Sequence, residues 1–110
     1  MERFVKGEVV ITPFPFSDLS SSVKRPALVV ASLRGDDLIL CQITSKNRKD
    51  AYQVSLGSGD FSKGGLNLDC FIKLSILFTL RSFIVLYKAG KVDKEKMKEV
   101  EDKICEIVKG

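Results

Sequence analysis

The chain has 110 residues, 45% of them hydrophobic and 29% charged, with 18 lysines and arginines against 14 acids, a net charge of +4. That is an ordinary globular balance with enough chain for one core; it excludes a disordered protein, and residues 1–110 read as a single domain. Histidine is absent, which excludes Ser-His-Asp and Cys-His catalysis, histidine-pair nucleases and HExxH or Cys/His zinc sites.

The first element in chain order is Gly7–Thr12, a β-branched run after a glycine that predicts a strand. It meets Pro13-Phe14-Pro15-Phe16, where two prolines end ladder pairing, and then the polar loop Ser17-Asp18-Leu19-Ser20-Ser21-Ser22. Ala27–Ser32 and Leu38–Thr44, joined by the turn signal Gly35-Asp36-Asp37, predict an antiparallel hairpin. Basic Lys46-Asn47-Arg48-Lys49 follows, then a fourth strand at Tyr52–Leu56. Gly57-Ser58-Gly59 and Gly64-Gly65 bracket a turn-rich stretch. Cys70–Leu74 and Ser82–Tyr87 read as two more strands, and Ser75–Leu80 fits either a helical turn or an extended connection. From Asp93 to Lys109 the period changes: Met97, Val100, Ile104, Ile107 and Val108 make one helical stripe, with Asp93 as N-cap, Gly90 in the preceding loop, and Lys96 and Lys98 facing water. The expected fold is mainly β with a C-terminal α-helix, a small twisted half-open β-barrel.

Cys41, Cys70 and Cys105 are odd in number and form no CxxC, so they are expected as reduced thiols used as small apolar residues in a cytoplasmic protein. The most apolar stretch, residues 71–87, is interrupted by Lys73 and Arg81 and is too short and too charged for a membrane span. The N-terminal residues show no signal-peptide pattern. No metal and no cofactor is expected.

The charge is unevenly placed. Residues 93–110 hold five lysines against six acids, while residues 1–92 hold 13 basic against 8 acidic side chains, so the β part carries the excess. Lys24-Arg25 leads into the first hairpin strand, and Lys46–Lys49 follows the second. In an antiparallel hairpin those positions share one end, which brings Arg25 near Thr44 and builds a basic, hydroxyl-rich rim. An arginine fork suits a phosphate that gains charge in a transition state, and a threonine or serine hydroxyl adds a hydrogen bond. RNA supplies its own nucleophile, the 2′-OH, so cleavage at such a rim needs no histidine and no metal. Arg25, Asp18 and Lys24 all remain open as the general base, arginine being poorly matched to that task. Phe14 and Phe16 suit base stacking as well as core packing, and Asp18 with Ser20–Ser22 suits base-edge reading as well as a plain loop.

The residues Gly7-Glu8-Val9-Val10, Pro13-Phe14-Pro15-Phe16-Ser17-Asp18, Lys24-Arg25-Pro26-Ala27-Leu28-Val29-Val30 and Gln42-Ile43-Thr44-Ser45, in this order, resemble the motifs of MazF/PemK-type toxins. The tail from Gly90-Lys91-Val92 through the helix is also similar, whereas Phe61–Leu80 departs from the pattern. The resemblance implies a CcdB/PemK-type barrel working as a homodimer. It implies an endoribonuclease that cuts single-stranded RNA at specific sequences without metal, leaving 2′,3′-cyclic phosphate and 5′-OH ends. The family's catalytic arginine and threonine fall on Arg25 and Thr44, and its RNA-lining positions on Phe16, Ser17, Asp18, Ser20, Lys24, Ser45 and Lys46. A cognate acidic antitoxin would lie across the same groove. Family branches that rely on a histidine are not matched. Two rival readings are a gyrase-poisoning toxin of the CcdB kind, whose C-terminal aromatic anchor is not matched here, and a catalytically silent RNA-binding member of the barrel family.

Overall fold

A computed structural model describes residues 3–13 and 24–110. Its strands are β1 (Glu8–Pro13), β2 (Lys24–Ser32), β3 (Asp37–Thr44), β4 (Gln53–Leu56), β5 (Phe61–Gly64), β6 (Cys70–Arg81) and β7 (Tyr87–Val92), followed by helix α1 (Lys94–Lys109). All seven strands join one curled antiparallel sheet in the order β4-β6-β3-β2-β1-β7-β5, a half-open barrel. The β2–β3 hairpin forms as its turn signal predicts.

Both sheet faces are covered. On one, Val9, Leu28, Cys41, Ile43, Val54 and Ile72 pack beneath Met97 and Val100 of α1. On the other, Val10, Ala27, Val29, Leu38 and Leu40 pack with Phe4 and Phe78. Leu28, Leu40, Ile43 and Ile72 are fully buried, each contributing about 1.5–3 kcal/mol of transfer free energy. Buried Glu8 fixes the N-terminal segment over the second face: its carboxylate accepts from the Val5 amide at 2.7 Å and pairs with Lys88 at 2.6 Å.

Several expectations are corrected. Ser82–Tyr87 is not a strand; Ser82–Ile84 is a 3-10 turn, and the strand begins at Tyr87 and carries through Gly90. Ser75–Leu80 continues β6. Its periodicity is hidden because Cys41 pairs with Leu77 and Gln42 with Lys73, which leaves three residues of β6 bulged between them. β5 lies within the stretch read as turns. It adheres to β7 through backbone approach: a Cβ on Gly64 would collide with the Ala89 carbonyl, and one on Gly90 would lie 2.6 Å from that of Lys63.

In α1, Asp93 caps as expected, accepting from the Lys96 amide at 2.8 Å, but Val108 is 76% exposed and leaves the buried stripe. Lys96 does not face water. Its buried ammonium donates to the Ser55 carbonyl and to Glu99 Oε1, both at 2.8 Å, and lies 3.7 Å from Asp60. The helix is thereby tied to β4, and the stem covers apolar surface. Cys41 and Cys70 are buried as expected, whereas Cys105 is exposed.

Candidate active site

The register lines up a row of side chains across five strands. Thr12 of β1 pairs with Arg25 of β2. The β2–β3 pairing of Ala27 with Gln42, extended two residues, sets Arg25 opposite Thr44. Thr44 pairs with Phe71 of β6, and Phe71 in turn with Ser55 of β4. Directly opposed residues in antiparallel strands share a face, so this row lies on the face away from α1. The next row on that face, Val10-Ala27-Gln42-Lys73-Gln53, follows from the same ladders. Arg25 and Thr44 are both half-buried.

The connection after Thr44 is folded by its own side chains. Thr44 Oγ1 accepts from the Lys46 amide at 3.2 Å, Asn47 Oδ1 from the Lys49 amide at 2.9 Å, and Asp50 Oδ1 from the Tyr52 amide at 2.7 Å. Such side-chain turns are what threonine, asparagine and aspartate supply. Lys49 takes a left-handed conformation, φ 50°. Two ties hold this loop to the sheet: Lys73 Nζ donates to Asp50 Oδ2 at 2.9 Å, and Gln53 Nε2 to Asn47 Oδ1 at 2.7 Å. The Lys73 bond, then the Tyr52 amide, hold the Asp50 carboxyl below the ordinary carboxylate range. Because Thr44 Oγ1 accepts from the backbone, its own proton is left to donate to a ligand.

A groove of about 360 Å³ opens at the same rim, lined by Lys24, Arg25, Thr44 and Ser45 and, from the β5–β6 connection, by Leu66 and Asn67. Buried Cys70 also lines it; burial, and then the neighbouring Asp69, push its thiol pKa up. That leaves a poor nucleophile.

Of the residues singled out from the sequence, Lys24, Arg25, Thr44 and Ser45 meet at this groove, and Lys46 is exposed one residue further on. Phe14, Phe16, Ser17, Asp18 and Ser20 lie outside the described residues. The register also sets Thr12, Phe71 and Lys73 beside these residues, and none of the three was singled out from the sequence. The signal for the last two was a phenylalanine and a lysine at alternate positions in the apolar segment Cys70–Leu74.

The fold and site define a class: a small curled β-sheet with one C-terminal helix and an arginine–threonine pair on a basic rim. The chain belongs to the PemK-like, MazF-like toxins of type II toxin–antitoxin systems, whose family model matches residues 5–108. Among solved structures, a mycobacterial endoribonuclease in complex with its cognate antitoxin superposes with a TM-score of 0.76 at 15% identity, over 96% of this chain and 95% of that one. MazF from Deinococcus radiodurans gives 0.73 at 16% identity, over 96% of each chain. Mycobacterium tuberculosis toxin MazF-mt6 gives 0.71 at 14% identity, over 90% of this chain and 93% of that one. No curated protein was found similar in sequence. Among the described residues, no helix is long and apolar enough to cross a membrane.

Proposed function

We propose that this toxin is a sequence-specific endoribonuclease that cuts single-stranded RNA without a metal ion, with Arg25 and Thr44 at the reacting phosphate. The observation that carries the reading is the meeting of Arg25 of β2 and Thr44 of the adjacent strand β3 in one groove. The 2′-oxygen of the nucleotide attacks the adjacent phosphorus, a new O–P bond forms, and the bond to the 5′-oxygen breaks. The 2′-hydroxyl proton is lost and the departing 5′-oxygen gains one, so the products are a 2′,3′-cyclic phosphate and a 5′-OH. Arg25 holds the non-bridging oxygens and opposes their growing charge; Thr44, its lone pair engaged by the Lys46 amide, donates to the same phosphate. The protein's main contribution is to hold the 2′-oxygen in line. Lys24 and Ser45 line the groove and Lys46 follows them; these would contact the RNA backbone or bases, as would Phe16, Ser17, Asp18 and Ser20.

The family match supports a cognate acidic antitoxin as partner, laid over this basic rim, and so do relatives solved with their antitoxins. A homodimer is supported by the apolar side chains of Phe83, Leu86 and Tyr87, which are 68%, 47% and 55% exposed within five residues of sequence; a second copy would cover them. The reading places the protein in the cytoplasm, where its RNA is.

The test is incubation with a long single-stranded RNA in EDTA and mapping of the ends. Discrete cuts with cyclic-phosphate ends are expected. Intact RNA from folded protein that instead inhibits gyrase would replace this reading by the CcdB-like one, and RNA binding without cleavage by the silent one.

A further inference from the structure

Phe71 occupies an unusual place for a phenylalanine. Its neighbours Cys70 and Ile72 point to the α1 side and are buried in that cluster. Phe71 therefore points to the opposite face, yet among the described residues it belongs to neither buried cluster. It is only half-buried. Its cross-strand neighbours are both hydroxyl residues, Thr44 on β3 and Ser55 on β4. Opposed residues have Cβ atoms about 4.5–5.5 Å apart, which sets the ring against Thr44. Lys73, two residues along the strand, lies on the same face.

We propose that Phe71 is a stacking platform for one unpaired base of the RNA, that of a nucleotide adjoining the phosphate held by Arg25 and Thr44. This rests on the RNA-cleaving reading above and adds to it a binding residue. A base adjoining a phosphate at Thr44 falls within reach of a ring at the next strand position. A base in a duplex has both faces occupied by its neighbours, so only a splayed base of a single strand can use the platform. Every base has a π-face, so Phe71 contributes affinity and strand selectivity while leaving sequence choice to other groups.

The chain contains no tryptophan, so Phe71→Trp introduces the sole indole, a direct reporter. The probe is a transcript with 2′-fluoro in place of every 2′-OH, which cannot be cut, offered as a single strand and as a duplex. We expect the single strand to quench the indole and the duplex to leave it unchanged. Phe71→Ala raises the dissociation constant for the single strand on the order of 10-fold to 100-fold, Phe71→Tyr restores it, and Phe71→Leu, which keeps apolar bulk, does not. In cleavage, Phe71→Ala raises KM and leaves kcat within a few-fold. Unchanged binding by Phe71→Ala, full rescue by Phe71→Leu, or quenching that depends on protein concentration without RNA would each overturn the proposal, the last by showing that a second copy covers the ring. Quenching by RNA in a protein that cuts nothing would sustain the platform and remove the nuclease reading instead.

Discussion

Lys96 and Lys98 both read as water-facing residues of one helix, and the structure separates them. The Lys96 side chain is 8% exposed, whereas Lys98 is 76% exposed and pairs with Asp102, itself 65% exposed. Replacing Lys96 by methionine keeps the stem and deletes the ammonium. Its partners are unequal: Glu99 is 53% exposed and water takes over its solvation, and Asp60 is 32% exposed at 3.7 Å. The main loss is the bond to the Ser55 carbonyl at 2.8 Å, a charge-assisted hydrogen bond whose acceptor would be left without it. That is worth about 2 kcal/mol. With an unfolding entropy of about 2.1 cal/mol/K per residue, the change lowers the melting midpoint by about 9 °C. Differential scanning calorimetry of Lys96→Met beside Lys98→Met is the assay, and the second variant is expected to melt with the parent. Equal midpoints for the two variants would refute the reasoning, because the buried cation would then contribute no more than a solvated one.

Two further outcomes rest on geometry. Gly64→Ala and Gly90→Ala each drive a Cβ into backbone of the other strand and should cost about 2–4 kcal/mol in chemical denaturation. Gly35→Ala, at φ +78° with open space around it, should cost only the left-handed penalty of about 1–2 kcal/mol; equal losses at all three positions would contradict the β5–β7 contact. Asp50 gives a pH dependence. Its pKa is lowered in the folded chain, so its stabilising contribution is present above the ordinary carboxylate value of about 4 and is lost as pH falls through the lowered one. In an NMR titration the Tyr52 amide should shift with a midpoint below that ordinary value; a midpoint at or above it would dissolve the Asp50–Lys73 tie.

Where local pattern and tertiary pairing agree, the sequence is readable. The β-branched run of β1, the turn signal of the β2–β3 hairpin and the apolar stripe opening α1 each announce their element. The same hairpin logic brings Arg25 toward Thr44 from the sequence alone. The misses share a cause, which is dependence on distant partners. β5 is four residues with little apolar content, and its place rests on glycines of two strands meeting. The bulge in β6 breaks an alternation that would otherwise mark a long strand. Lys96 is buried because β4 offers a carbonyl at the right height, which no helical periodicity encodes. Phe71 and Lys73 come beside Thr44 and Gln42 only through strand pairing between distant segments, so their own segment reads as plain core.

The central claim is that Arg25 and Thr44 act together on one phosphate. It is tested most directly by single-turnover cleavage of RNA in EDTA by the parent, Arg25→Ala, Thr44→Ala and the double variant, with folding checked by circular dichroism. Arg25→Ala should slow cleavage by about 10²–10³-fold, the scale of losing a preorganised charge-stabilising group, and Thr44→Ala by about 10-fold or more. Side chains that act as a unit are non-additive, so the double variant should be scarcely slower than Arg25→Ala alone. A double variant whose loss equals the product of the two single losses, or cleavage undiminished by Arg25→Ala, would contradict it.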